Sequence, residues 1–160
     1  MGRTVMIVLV AAAIAGCASG PVTGRVFLRD QPATPLAMSW ESGIFGGSGT
    51  MSALMPDGER FSGKYVVVRQ GMSWGRIEPA WVGDDPVGTQ GDIDNSTWGA
   101  PRDRATFISA HLNKAIARLK GDRGTTMLCR FTLNAGEAGL RGGGAGECQT
   151  SKGAKITAQF

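Results

Sequence analysis

The sequence is short of almost everything that enzymes use. In 160 residues it has one histidine, His111, one tyrosine and three cysteines. Zinc centres take three or four ligands from His, Cys or acidic side chains, so a lone imidazole excludes the common histidine-rich sites. No Gly-x-Ser-x-Gly elbow is present to expose a nucleophilic serine. No glycine-rich loop runs into Lys-Ser or Lys-Thr to cradle a phosphate. Charged residues are 19% of the chain, and the 17 Lys and Arg are interleaved with 13 acids. No basic stripe forms, and a nucleic-acid partner is not expected. Long apolar runs are missing too: none reaches the roughly 20 residues that a membrane-spanning helix requires.

Glycine is abundant instead, 25 of 160 residues, where average usage is about 7%. The glycines keep no collagen period, so they are expected in turns and hairpins. A hydrophobic content of 42% points to a globular chain, and the length suits one domain.

The first residues read as an address. Met1-Gly2-Arg3-Thr4 supplies one positive charge, and Val5 to Ala15 is uncharged and ends in small residues. This is the pattern of a secretory signal peptide. The tetrad Ile14-Ala15-Gly16-Cys17 resembles the lipobox of bacterial lipoproteins. That resemblance implies cleavage before Cys17, a thioether-linked diacylglycerol on its sulfur, and often an acyl chain on its freed amine. Two or three acyl chains anchor a protein stably where one is marginal. Ala18, where retained lipoproteins of the enteric type carry Asp, implies an outer-membrane address facing the periplasm. Residues 1–16 are thus expected to be signal, 17–24 a lipidated cysteine and flexible tether, and 25–160 one domain. The alternative is a secreted protein cut elsewhere, with Cys17 unmodified.

The mature chain alternates like a β-protein. Thr50–Met55 and Arg60–Val68 flank a Pro-Asp-Gly turn and read as a hairpin. Residues 144–160 repeat the design, with Gly153 matching Gly58 and Phe160 matching Tyr65. The spacing is similar to a MORN-type hairpin, although two copies make no repeat array. Thr125–Leu133 is expected to be a strand, followed by a glycine-rich loop over 134–143 and a return strand from Gly144. The midpoint between Cys129 and Cys148 coincides with the centre of that loop. In an antiparallel hairpin the two cysteines then stand opposite each other, close enough to bond. An oxidising envelope permits the disulfide; the alternative is two buried free thiols. Residues 103–113 fit both a helical stripe and an extended segment. A strand is expected over 114–120, with a helical turn near 103–110. The expected fold is mainly β: a small antiparallel sandwich or partly closed barrel of hairpins.

The C-terminal 40 residues, with Cys129-Arg130-Phe131, Gly142-Gly143-Gly144-Ala145-Gly146-Glu147-Cys148-Gln149 and a final Phe160, resemble a group of small bacterial lipoproteins. The resemblance implies no activity.

Three weaker features complete the reading. Asp92, Asp94, Ser96 and Asp103 fall at positions 1, 3, 5 and 12 of a calcium loop. Thr97 stands where such a loop needs glycine, so a solvated polar loop is the simpler expectation, and no metal or cofactor is assigned. His111, with Ser109 nearby in sequence, is read as structural. Trp74, Trp81 and Trp98 lie in a Gly/Pro-rich region and are the candidate binding surface. The functional expectation is a lipid-anchored envelope protein of structural or binding role, without enzyme activity. The alternatives are a periplasmic inhibitor or accessory subunit docking an envelope protein, and a hydrolase whose site the sequence hides.

Overall fold

The structure is a computed structural model and describes residues 18–28, 32–43, 47–81 and 104–160. Eight strands close into one antiparallel barrel, each paired with its sequence neighbours and β8 with β1. They are β1 (Ser19–Phe27), β2 (Thr34–Ser42), β3 (Ser48–Leu54), β4 (Arg60–Val67), β5 (Lys114–Gly121), β6 (Thr126–Leu133), β7 (Gly144–Thr150) and β8 (Lys155–Gln159). The connection from β4 to β5 carries α1 (Trp74–Trp81) and α2 (Arg104–Ala110), and a 3-10 helix (Gly136–Gly142) joins β6 to β7. The expected antiparallel β-fold is present, as a fully closed barrel. The ambiguous stretch divides as expected, helical over Arg104–Ala110 and extended from Lys114.

The stagger of the strands sets the width of the barrel. Stepping across the paired residues from Ser19 leads through Glu41, Thr50, Lys64, Arg118, Leu128, Gln149 and Lys155. The path returns to β1 at Phe27, eight residues further on. Eight strands with a stagger of eight is the combination found in parallel barrels whose strands tilt by roughly 36° and whose interior is a packed core. The same holds here. Trp40, Met51, Phe61, Tyr65, Leu119, Met127, Phe131 and Ile156 all point inward and are at most 5% exposed. Outward positions are polar, as Ser39, Ser52, Ser62, Lys64 and Glu147 show. A barrel that crosses an outer membrane has the opposite pattern, apolar outside and polar inside. Among the described residues no helix is long and apolar enough to cross a membrane either.

A second, smaller core lies outside the wall. Ile77 and Ala80 of α1 and Phe107 of α2 pack on Val66, Ile116 and Leu128, which point outward from β4, β5 and β6. This explains the short buried apolar runs 65–67, 115–117 and 127–129 within those strands: both faces are covered there.

One expectation needs correction. Residues 18–24 are not a flexible tether, because β1 begins at Ser19 and pairs with β2 from its first residue. Paired with β2 from Ser19 and with β8 from Thr23, this stretch gains its order from backbone hydrogen bonding that its Gly-Pro composition does not reveal. Glycines also occupy strand interiors, within the runs read as strands. Gly63 and Gly146 sit inside strands, where a Cβ would collide with the carbonyl oxygens of Arg118 and Arg130 on the neighbouring strands. A narrow barrel needs such points of close backbone approach.

Candidate functional site

One end of the barrel is built from three copies of the same turn. In Met55–Glu59, Gly121–Thr125 and Thr150–Ala154 the first residue's N–H donates to the last residue's carbonyl, at 2.9, 2.7 and 3.0 Å. The fourth residue is Gly58, Gly124 or Gly153, with φ of 84°, 82° and 84°. This left-handed conformation strains any residue with a Cβ, and it forms the glycine bulge of a three-residue hairpin loop. The sequence similarity between Gly58 and Gly153 therefore has a structural basis, and Gly124 is a third instance.

Each turn then directs its fifth residue, Glu59, Thr125 or Ala154, into the barrel mouth, where all three are buried. A carboxylate there is unusual, since desolvation disfavours the charged form. Oε2 of Glu59 accepts from Lys152 Nζ at 3.1 Å, and the carboxylate occupies the space that a side chain at Gly121 would fill. Burial pushes the Glu59 carboxyl up, but the polar groups of Thr125 and the Lys152 ammonium outweigh it, leaving the pKa below its ordinary 4.5. A carboxyl whose folded pKa is depressed stabilises the fold above its unfolded pKa, and that stability is lost as pH falls through the folded value. Lys152→Met should therefore raise the Glu59 pKa and move the acid loss of stability to higher pH. Urea unfolding measured from pH 7 to 3 checks this, and superimposable profiles for the two proteins would contradict it.

The outer wall next to this mouth is concave. An open depression of about 770 Å³ is lined by residues of β2 to β5, including Ser39, Ser52, Leu54, Arg60, Ser62 and Lys120. Ser39, Ser52, Ser62 and Lys120 occupy one row across four strands, and the Ser39 and Ser52 hydroxyls are 2.8 Å apart. One step along the barrel, Lys64 stands directly opposite Arg118. Like charges placed directly opposite are destabilising in a sheet, and Asp122 adds an acidic side chain to the lining of the depression. Leu54 is 48% exposed at its edge. The surface can offer hydroxyls, cations and one apolar contact.

At the opposite end, Tyr65 is buried and its phenolic oxygen has no hydrogen-bond partner. Burial pushes its pKa up to about 12, partly offset by Arg141. His111 is buried at the start of the turn into β5. Its Nδ1 donates to the Phe107 carbonyl at 2.9 Å, and its ring stacks on Phe107 at 4.1 Å. Burial holds the His111 pKa below 6.5, with Lys114 and Arg130 adding to the effect and the Phe107 carbonyl opposing it. The unfolded chain then binds the proton more tightly. Stability should fall as pH drops from about 6.5 toward the folded pKa, and level off below it. His111→Asn, which keeps a donor for the Phe107 carbonyl, should remove this component of the pH profile. An unchanged profile would assign it elsewhere.

The sequence candidates fare differently. Cys129 and Cys148 are directly paired in β6 and β7 and form a disulfide, with Cα atoms 4.0 Å apart. Trp74 and Trp81 are the first and last residues of α1. Trp98, Cys17 and the aspartates of the calcium-like loop lie outside the described residues. Among the described residues, no group of three His, Cys, Asp or Glu side chains could hold a metal. Sequence reasoning missed Glu59 and the serine row. The signal for Glu59 was the aligned turn, which puts Glu where its counterpart has Ala154. The serine row depends on strand register, which carries no local mark.

No protein family matches the chain, and no curated protein does. Among solved structures it is similar to a redesigned β-barrel, at 11% identity and a TM-score of 0.43, over 91% of this chain and 89% of that one.

Proposed function

We propose that the chain is an envelope lipoprotein, anchored through an acylated Cys17, whose barrel has a structural or binding role and no catalytic one. The observation that carries this reading is the Ile14-Ala15-Gly16-Cys17 tetrad at the end of a short apolar run. The Cys129–Cys148 disulfide supports it, since such bonds persist in oxidising compartments. The packed interior argues against a carrier that holds its ligand inside the barrel, so recognition belongs to the outer wall. Ala18 favours the outer membrane, facing the periplasm. A second reading, a periplasmic inhibitor or accessory subunit docking an envelope protein, draws support from the concave wall. Hydrolysis is the weakest reading, because the sequence carries no Gly-x-Ser-x-Gly elbow.

The test is metabolic labelling with a fatty-acid analogue. The native chain should take up label and fractionate with membranes, whereas Cys17→Ser should lose the label and accumulate uncleaved or soluble. Label retained on the Cys17→Ser chain would overturn the proposal. Crosslinking in intact cells, with Ser52 or Lys64 replaced by a photoreactive residue, separates the two binding roles: a specific protein adduct favours the accessory subunit.

A further inference from the structure

The residue that follows Cys17 is built into the barrel. The carbonyl oxygen of Ala18 accepts from both the backbone N–H of Ser42, at 2.7 Å, and the Ser42 hydroxyl, at 3.0 Å. Ser42 is itself buried, and the Ala18 methyl packs on the barrel core. From Ser19 the chain is paired strand. Consecutive Cα atoms are about 3.8 Å apart, so one peptide unit separates Cys17 from this fixed corner. An anchor on Cys17 has no slack.

We infer that the rim formed by Ala18, Ser42 and the adjoining end of β3 is a membrane-contact surface. It seats directly on the phospholipid headgroups and holds the barrel in one orientation. This rests on the acylation of Cys17 proposed above. The glycerol of the lipid lies at headgroup level, and the path to it from Ala18 is one peptide unit plus the Cys17 side chain and its thioether, so Ala18 stays within roughly two residue lengths of it. The corner suits close approach. Its outermost described residues are small, Ser19, Gly20, Ser42, Gly43 and Ser48, and Glu41 lies one residue further from the edge. The nine residues of β1 then carry the opposite end roughly 20 Å outward, given about 3.3 Å per residue and a tilted strand. The Glu59 mouth and the depression beside it face away from the membrane, toward a partner in the periplasm.

The test uses the acylated full-length product in phosphatidylethanolamine–phosphatidylglycerol vesicles that contain a headgroup-borne quencher. A fluorescent amino acid replaces Ser48 at the rim or Arg123 at the far mouth. The Ser48 probe should be quenched several-fold more than the Arg123 probe, and ten Gly-Ser residues inserted between Cys17 and Ala18 should abolish the difference. Equal quenching at the two positions without the insertion overturns the inference. A parallel sample, the mature chain coupled at Cys17 to a maleimide phospholipid, separates the two claims. Position-dependent quenching in that sample, from a chain that cells fail to acylate, would keep the rim geometry and refute the native anchor.

Discussion

Replacing either Cys129 or Cys148 with serine is expected to lower the melting temperature by roughly 10 °C, and replacing both should lower it no further. The bond closes a loop with a sequence separation of 19, for which the chain-entropy account gives about 3 kcal/mol. In a domain of this size each kcal/mol moves the midpoint by about 2–4 °C. Both cysteines are at most 1% exposed and belong to the packed interior. The bond also crosslinks β6 and β7 beside a connection that contains Gly136, Gly139, Gly142 and Gly143. Such a segment specifies strand register poorly by itself. Thermal unfolding of the two single variants and the double variant checks this. Single variants that melt with the native protein would mean that the barrel fixes the register without the crosslink.

The second large effect is expected at Gly63. An added methyl would meet the Arg118 carbonyl oxygen and the Leu119 Cα, both of which are backbone atoms that cannot rotate away. Gly63 faces Leu119 across the β4–β5 pair, so β5 could yield only by breaking its ladder. Overpacking of this kind costs about 1–3 kcal/mol, and more where nothing can relax. Gly63→Ala should therefore destabilise at least as much as loss of the disulfide. Ser62→Ala, one residue away on the outer wall, should lie within about 0.5 kcal/mol of the native protein. Equal midpoints for the two variants in denaturant would contradict the inward orientation of Gly63 and the close approach of β4 to β5.

Much of the fold was legible in local pattern. Alternation from Arg60 to Tyr65 and from Lys155 to Gln159 placed two strands, and Pro56-Asp57-Gly58 placed a turn, because the period of two and the left-handed glycine are chain-local properties. The cysteine pairing followed from hairpin symmetry alone. The candidate surfaces were much less legible. Ser39, Ser52 and Ser62 are unremarkable serines until β2, β3 and β4 come into register. Glu59 looked like an exposed turn residue, as a charged side chain beside Asp57-Gly58 normally is. It is buried because Gly121 leaves room for it and Lys152, 93 positions away, neutralises it.

By itself, the sequence determined that this is a hairpin-built β-protein with one internal disulfide. These follow from composition, spacing and period, which act over a few neighbours. The tertiary structure decided the closure, the stagger of eight and the filled interior, because these arise from pairing β1 with β8 across the whole chain. It also decided that Gly63 and Gly146 are points of close approach between strands, and that Ala18 belongs to the barrel rather than to a tether. In each case the physical reason is the same: a partner strand distant in sequence sets the space or the hydrogen bond that the residue meets.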